Sequence, residues 1–166
     1  AGRPPLPPKI VRSDRPLVER VNSREATDRI ATETAYQNGD AETRKMLLDA
    51  ALRHADKAPV DLLRLAIFGL DVEASRAARK ALASMTTPDA ARLVADALRV
   101  PMEDAERKAL FAALRKMGES SDLARWLAAV HEGLAASSGA LDLQGWSEAI
   151  EKGTFSAPVL WLESGG

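Results

Sequence analysis

The residues of this chain best spaced to do chemistry are three Asp-x-x-Arg sets: Asp61 with Arg64, Asp89 with Arg92, and Asp122 with Arg125. Each is followed at once by a large apolar residue, Leu65, Leu93 or Trp126. Three guanidinium forks recurring on equivalent turns of stacked helices would form a ladder able to grip carboxylates or phosphates of a partner. The same spacing also makes an ordinary surface pair, with Asp favoured by the helix dipole and Arg waiting at i+3. Pairs of that kind are common and weak, so the local pair is the plainer account.

Catalytic chemistry finds little to work with. His54 and His131 are the two histidines, and no His-x-x-x-His or His-Glu-x-x-His spacing joins them into a zinc site. His54 falls near a helix end beside Asp56, and His131 reads as a half-buried helical side chain. The absence of cysteine removes thiolate metal sites, disulfides and cysteine nucleophiles. No serine elbow, phosphate-cradling glycine loop or dinucleotide fingerprint occurs. Gly69, inside the Ile67 to Leu70 stretch, is accounted for by close packing or a hairpin end. The expectation is a protein that is not an enzyme, with no catalytic, cofactor-binding or metal-binding residue and no cofactor.

Two further segments are candidates for partner contacts. Near the start, Pro4, Leu6 and Pro7 with Lys9 match a polyproline recognition core, although a stiff spacer or a strap along the chain's own helices is the plainer account of four prolines in so short a run. Near the end, Leu160 and Trp161 belong to an apolar run, Val159 to Leu162, with no repeat to pack on, and Trp161 is the aromatic best placed to anchor a partner. Trp126 and Trp146 are expected in the core.

The elements that must position these residues are helices. Ala and Leu dominate the apolar set and aromatics make up 4% of residues, a mix poor in strand formers. The net charge of −1 is unevenly spread: residues 1–29 carry seven Lys/Arg against four Asp/Glu, and residues 119–166 carry two against seven. With a sequence pI near 6.2 there is no clustered basic footprint, which argues against nucleic acid as a partner. No apolar run approaches the roughly 18 residues of a membrane-spanning helix. Zero cysteines suits cytoplasm and periplasm alike, so the compartment stays open.

Along the chain, Arg3 to Lys9 is an extended Pro-rich arm. Residues 10–22 are ambiguous, with Leu17, Val18 and Val21 able to give one apolar turn. Ser23 is expected to cap a helix running to about Gly39 with Ala26, Ile30, Ala31 and Ala35 on one apolar face. From Asp40 the pattern repeats. First helices end on Ala51-Leu52, Ala81-Leu82 and Ala113-Leu114, and the Asp-x-x-Arg sets open the second helices. The leucines recur after 30 and 32 residues and the aspartates after 28 and 33, so two markers keep nearly one period. Turns are expected at Lys57 to Pro59, Thr86 to Pro88, Val100-Pro101 and Gly118 to Ser120, with Thr87 as a cap and Pro88 at the first helical position. Ala78, Leu82, Leu110, Leu114 and Leu127 are the expected core, with Leu123, Trp126, Leu127, Val130 and Leu134 as the apolar stripe of the last helix.

The run Asp71-Val-Glu-Ala-Ser-Arg-Ala-Ala-Arg-Lys-Ala-Leu82 resembles the first-helix signature of the HEAT-like helical repeat family, the PBS-lyase-type HEAT repeats, and the resemblance covers about residues 40–134. It implies an all-α fold, a short right-handed α-solenoid of helix hairpins with an extended N-terminal arm. The organisation expected is a Pro-rich arm and linker over 1–22, a repeat domain over 23–137, and a C-terminal capping helix with apolar tail over 138–166. Such a motif specifies packing and carries no activity of its own. The function expected is a non-catalytic interaction scaffold or adaptor for another protein or a second copy of itself. The alternative is an enzyme or ligand-binding protein of related fold, similar to chromophore lyases or nucleic-acid-base glycosylases.

Overall fold

The computed structural model describes residues 14–140, with side chains placed through Gly133. Within them the chain is entirely helical: α1 (Leu17–Arg20), α2 (Ala26–Asn38), α3 (Ala41–Leu52), α4 (Val60–Ile67), α5 (Val72–Ser84), α6 (Ala91–Ala97), α7 (Asp104–Met117) and α8 (Asp122–Ala140). Short 3-10 turns at Ala55–Lys57 and Pro88–Ala90 lead into α4 and α6.

Polar side chains set where these helices begin. Asp40 accepts from the Thr43 backbone N–H at 2.8 Å, and Asp71 accepts from those of Glu73 and Ala74 at 3.0 and 3.1 Å. Each satisfies donors that have no intrahelical partner. Glu103 and Glu106 form a reciprocal capping box at the start of α7. Thr87 stands at the cap position before Pro88 but its hydroxyl makes no capping bond, so proline geometry starts that turn without it.

The principal helix contacts follow one rule: each helix packs on the next in sequence or the next but one. The second kind of contact makes two rows. α1, α3, α5 and α7 lie side by side in one, and α2, α4, α6 and α8 in the other. Between the rows lies one continuous core in which Ala51, Leu62, Leu63, Ala78, Leu82, Leu93, Val94, Leu114 and Met117 are shut off from solvent. The expected core positions are buried, Leu127 partly so. Alanines at the contact points (Ala51, Ala78, Ala91, Ala97, Ala124) let helix axes approach closely, which explains the alanine-rich composition.

Two expectations about helix faces are corrected. On α2 the inward residues are Asp28, Thr32 and Tyr36, while Ile30 is 64% exposed. The reason is a counter-charge that apolar periodicity does not register: Arg20 at the end of α1 donates to Asp28 at 2.6 Å, and Arg15 lies 3.3 Å from the same carboxylate. The Thr32 hydroxyl satisfies itself by donating to the carbonyls of Asp28 and Arg29, each at 3.0 Å. Ser23 is not the cap of α2; Glu25 occupies that position, and the Ser23 hydroxyl accepts from the Glu25 N–H at 3.2 Å.

On α8, Trp126 is 56% exposed and Leu123 40% exposed, so neither is core. The helix instead buries Ala124 and Ala128, with Leu127 partly covered. Small residues face α6 and α7 because both helices pack closely on α8, and the large ones are left on its flank. Gly69 lies just past the end of α4, its N–H bonded to the Ala66 carbonyl at 3.3 Å, in agreement with a hairpin end.

Candidate interaction surfaces

The three arginines of the Asp-x-x-Arg sets sit on α4, α6 and α8, successive helices of one row, and each has different partners. Arg64 leaves Asp61 and crosses to the next helix of its row, meeting Asp96 at 2.8 Å. Arg125 takes the local pairing, with Asp122 at 2.9 Å, and also donates to the Gly118 carbonyl at 3.0 Å. A Cβ on Gly118 would lie 3.2 Å from Arg125 Cα, so glycine at this turn is what lets α8 close on the end of α7. Arg92 is exposed and makes no ion pair with a described residue. One arginine staples two helices, one fixes a hairpin turn, and one remains available to solvent. Pro4, Leu6, Pro7, Leu160 and Trp161 lie outside the described residues, as do the proposed capping helix and apolar tail.

Composition separates the two rows in a way spacing alone could not display. The helices α3, α5 and α7 carry Lys45, Lys80, Lys108 and Lys116, whereas α2, α4, α6 and α8 contain no lysine and have one arginine each: Arg29, Arg64, Arg92 and Arg125. Of the exposed large apolar residues, Ile30, Leu123 and Trp126 belong to the lysine-free row and Phe68 caps the end of its helix α4, while Met46 and Val72 lie on α3 and α5 of the other row and Leu70 in the loop before α5. Tryptophan without lysine suits a protein interface, because a rigid indole gives up less freedom per contact than a flexible ammonium.

The other row holds a buried charge. Arg79 on α5 is 6% exposed, with Nη1 donating to Ser75 Oγ at 2.8 Å and Nη2 to Glu106 Oε1 on α7 at 3.3 Å. The Ser75 hydroxyl in turn donates to the Ile67 carbonyl at 2.7 Å, tying α4, α5 and α7 together. Nothing in the local sequence marks Arg79 as buried. It sits three residues after Arg76, which is exposed on the same helix.

His131 packs against Phe111 with ring centroids 5.2 Å apart and the rings tilted by 44°, and burial, aided by the nearby Arg107, pushes its imidazole below its usual pKa. It makes no hydrogen bond to a described residue, and its contact with Phe111 places the ring between α7 and α8. Among the described residues no group of three or more metal-ligating side chains occurs, and no helix is long and apolar enough to cross a membrane. Comparisons with protein-family models, with curated proteins and with solved structures give no match for this chain.

Proposed function

We propose that this chain is a short right-handed α-solenoid of HEAT-like hairpins, working as a non-catalytic scaffold or adaptor whose lysine-free row docks another protein. The observation that carries the reading is Trp126: a tryptophan left 56% exposed beside Leu123, on a helix that has buried Ala124 and Ala128 instead. Exposing so large an apolar surface is costly without a use, and a rigid aromatic is the usual anchor of a protein contact. The two-row packing and the recurring Leu and Asp markers support the solenoid, because in such folds each unit touches chiefly its neighbours.

A photo-crosslinking amino acid placed at 126, and as a control at Lys45 on the opposite row, tests it in cells. A discrete adduct with another protein from position 126, absent from position 45, is the expected result. Equal labelling from both positions, or none from 126, defeats the reading.

A further inference from the structure

Between α5 and α7, on the row opposite Trp126, runs a groove of about 420 Å³. Its floor is aliphatic, with Leu110 buried at its base and Ala109 on the α7 side. The α5 wall is cationic: Arg76 and Lys80 stand at i and i+4 on the rim, with the buried Arg79 between them. Lys80 makes no ion pair with a described residue, and Arg76 has only the solvent-exposed Glu73 at 3.6 Å. The α7 wall supplies two carboxylates, Glu103 and Glu106.

Glu106 is an overdrawn partner for Arg79. One of its oxygens lies 3.3 Å from Arg79 Nη2, beyond the roughly 2.7–2.9 Å of a charge-assisted bond, while the other accepts from the Glu103 N–H at 3.4 Å to cap α7. Arg79 Nε is buried and has no hydrogen-bond partner among the described residues. A buried guanidinium thus shares one stretched carboxylate with a helix terminus, and two further cations stand over the same groove. A buried charge of this kind is stabilised by added hydrogen bonds to an anion.

We infer that the α5–α7 groove is a second docking site, distinct from the Trp126 face, for an acidic segment of a partner protein. Its aliphatic side chains would lie on Ala109 and Leu110, and its carboxylate would answer Arg76, Arg79 and Lys80. The inference rests on the scaffold reading above but uses the other row of helices.

A fluorescein-labelled helical peptide of leucine and glutamate tests it by anisotropy, with a leucine–lysine peptide of the same pattern as control. The acidic peptide is expected to bind the wild type and Trp126→Ser alike. Its affinity should fall about tenfold or more in the double variant Arg76→Glu/Lys80→Glu, and in Ala109→Trp, which fills the groove from an exposed position. All these sites are exposed, so circular dichroism should show retained helicity. Binding of both peptides alike, binding of neither, or unchanged affinity in the charge-reversal variant overturns the inference, as does displacement of the peptide by decanoate, which would mark a site for small amphiphiles. Crosslinking at position 126 that persists in the groove variants leaves the scaffold reading standing, so the two failures are separable.

Discussion

Asp28 is a carboxylate inside the protein that stays ionised because of its neighbours. The Ser23 hydroxyl and the Arg20 guanidinium hold its pKa below the usual range, with Arg15 adding to the effect. A carboxyl whose folded pKa is depressed contributes stability at neutral pH, and that contribution is lost as pH falls below the ordinary Asp range, near about 4, and through the folded value. Urea midpoints measured from pH 7 down to pH 2 should therefore fall, and Asp28→Asn should be less stable at pH 7 and show a shallower acid limb. Some slope will remain, because Asp40 is lowered too, chiefly by the Thr43 backbone N–H. An acid limb of the same steepness in the variant would mean that Asp28 is not ionised in this way. Ala78 makes the opposite case. It is 0% exposed in the middle of α5, and Ala78→Asp would place an unpaired charge there. The expected cost is about 3 kcal/mol or more, read as a lowered melting temperature, and an unchanged one would contradict the packing.

At the level of elements, the caps separate two threonine- and aspartate-started segments that look alike in sequence. Asp71 accepts two backbone N–H bonds at the start of α5, so Asp71→Ala should cost about 1 kcal/mol. Thr87 makes no capping bond before Pro88, so Thr87→Ala should stay within about 0.5 kcal/mol. Chemical denaturation of the two variants side by side checks the difference, and equal losses would show that Thr87 caps after all. The α1–α2 corner shows an element whose face is chosen by a partner. The helix α2 is weakly amphipathic in apolar terms, and it turns inward the side that Arg20 can neutralise. Breaking that pair leaves a buried charge without its partner, which is why such pairs are expensive to lose even where they add little when intact.

At the scale of the whole molecule, packing of each helix on its next and next-but-one neighbours makes stability a local property. The helix α5 lies between α3 and α7 in its row and also packs on α4 and α6, whereas α2 and α8 each have a neighbour on one side of their row only. Native-state hydrogen exchange should accordingly be slowest for the amides of α5 and faster for α2 and α8, because terminal units open without disturbing the rest. Uniform protection from α2 to α8 would instead mark a single all-or-none unit.

The helical character of this chain was legible without coordinates. Alanine- and leucine-rich stretches with a 3.6 period, Asp40 and Asp71 before such stretches, and Pro59, Pro88 and Pro101 between them are local signals, and helix formation is largely a local event. The core positions Ala78, Leu82, Leu110 and Leu114 followed from the same period. What only the tertiary structure decided is which of two possible faces each helix turns inward and whom each charge meets. Trp126 lies outside because Ala124 and Ala128 allow α8 a closer approach to α6 and α7, and closeness is a property of three helices together. Arg64 pairs with Asp96, 32 residues away, in preference to the Asp61 three residues before it. Arg79 is buried while Arg76 is not, because α7 brings Glu106 to one side of α5. Local spacing fixes the positions from which a side chain can reach. Burial, pairing and exposure depend on partners distant in sequence, and the surfaces proposed for binding are made of those.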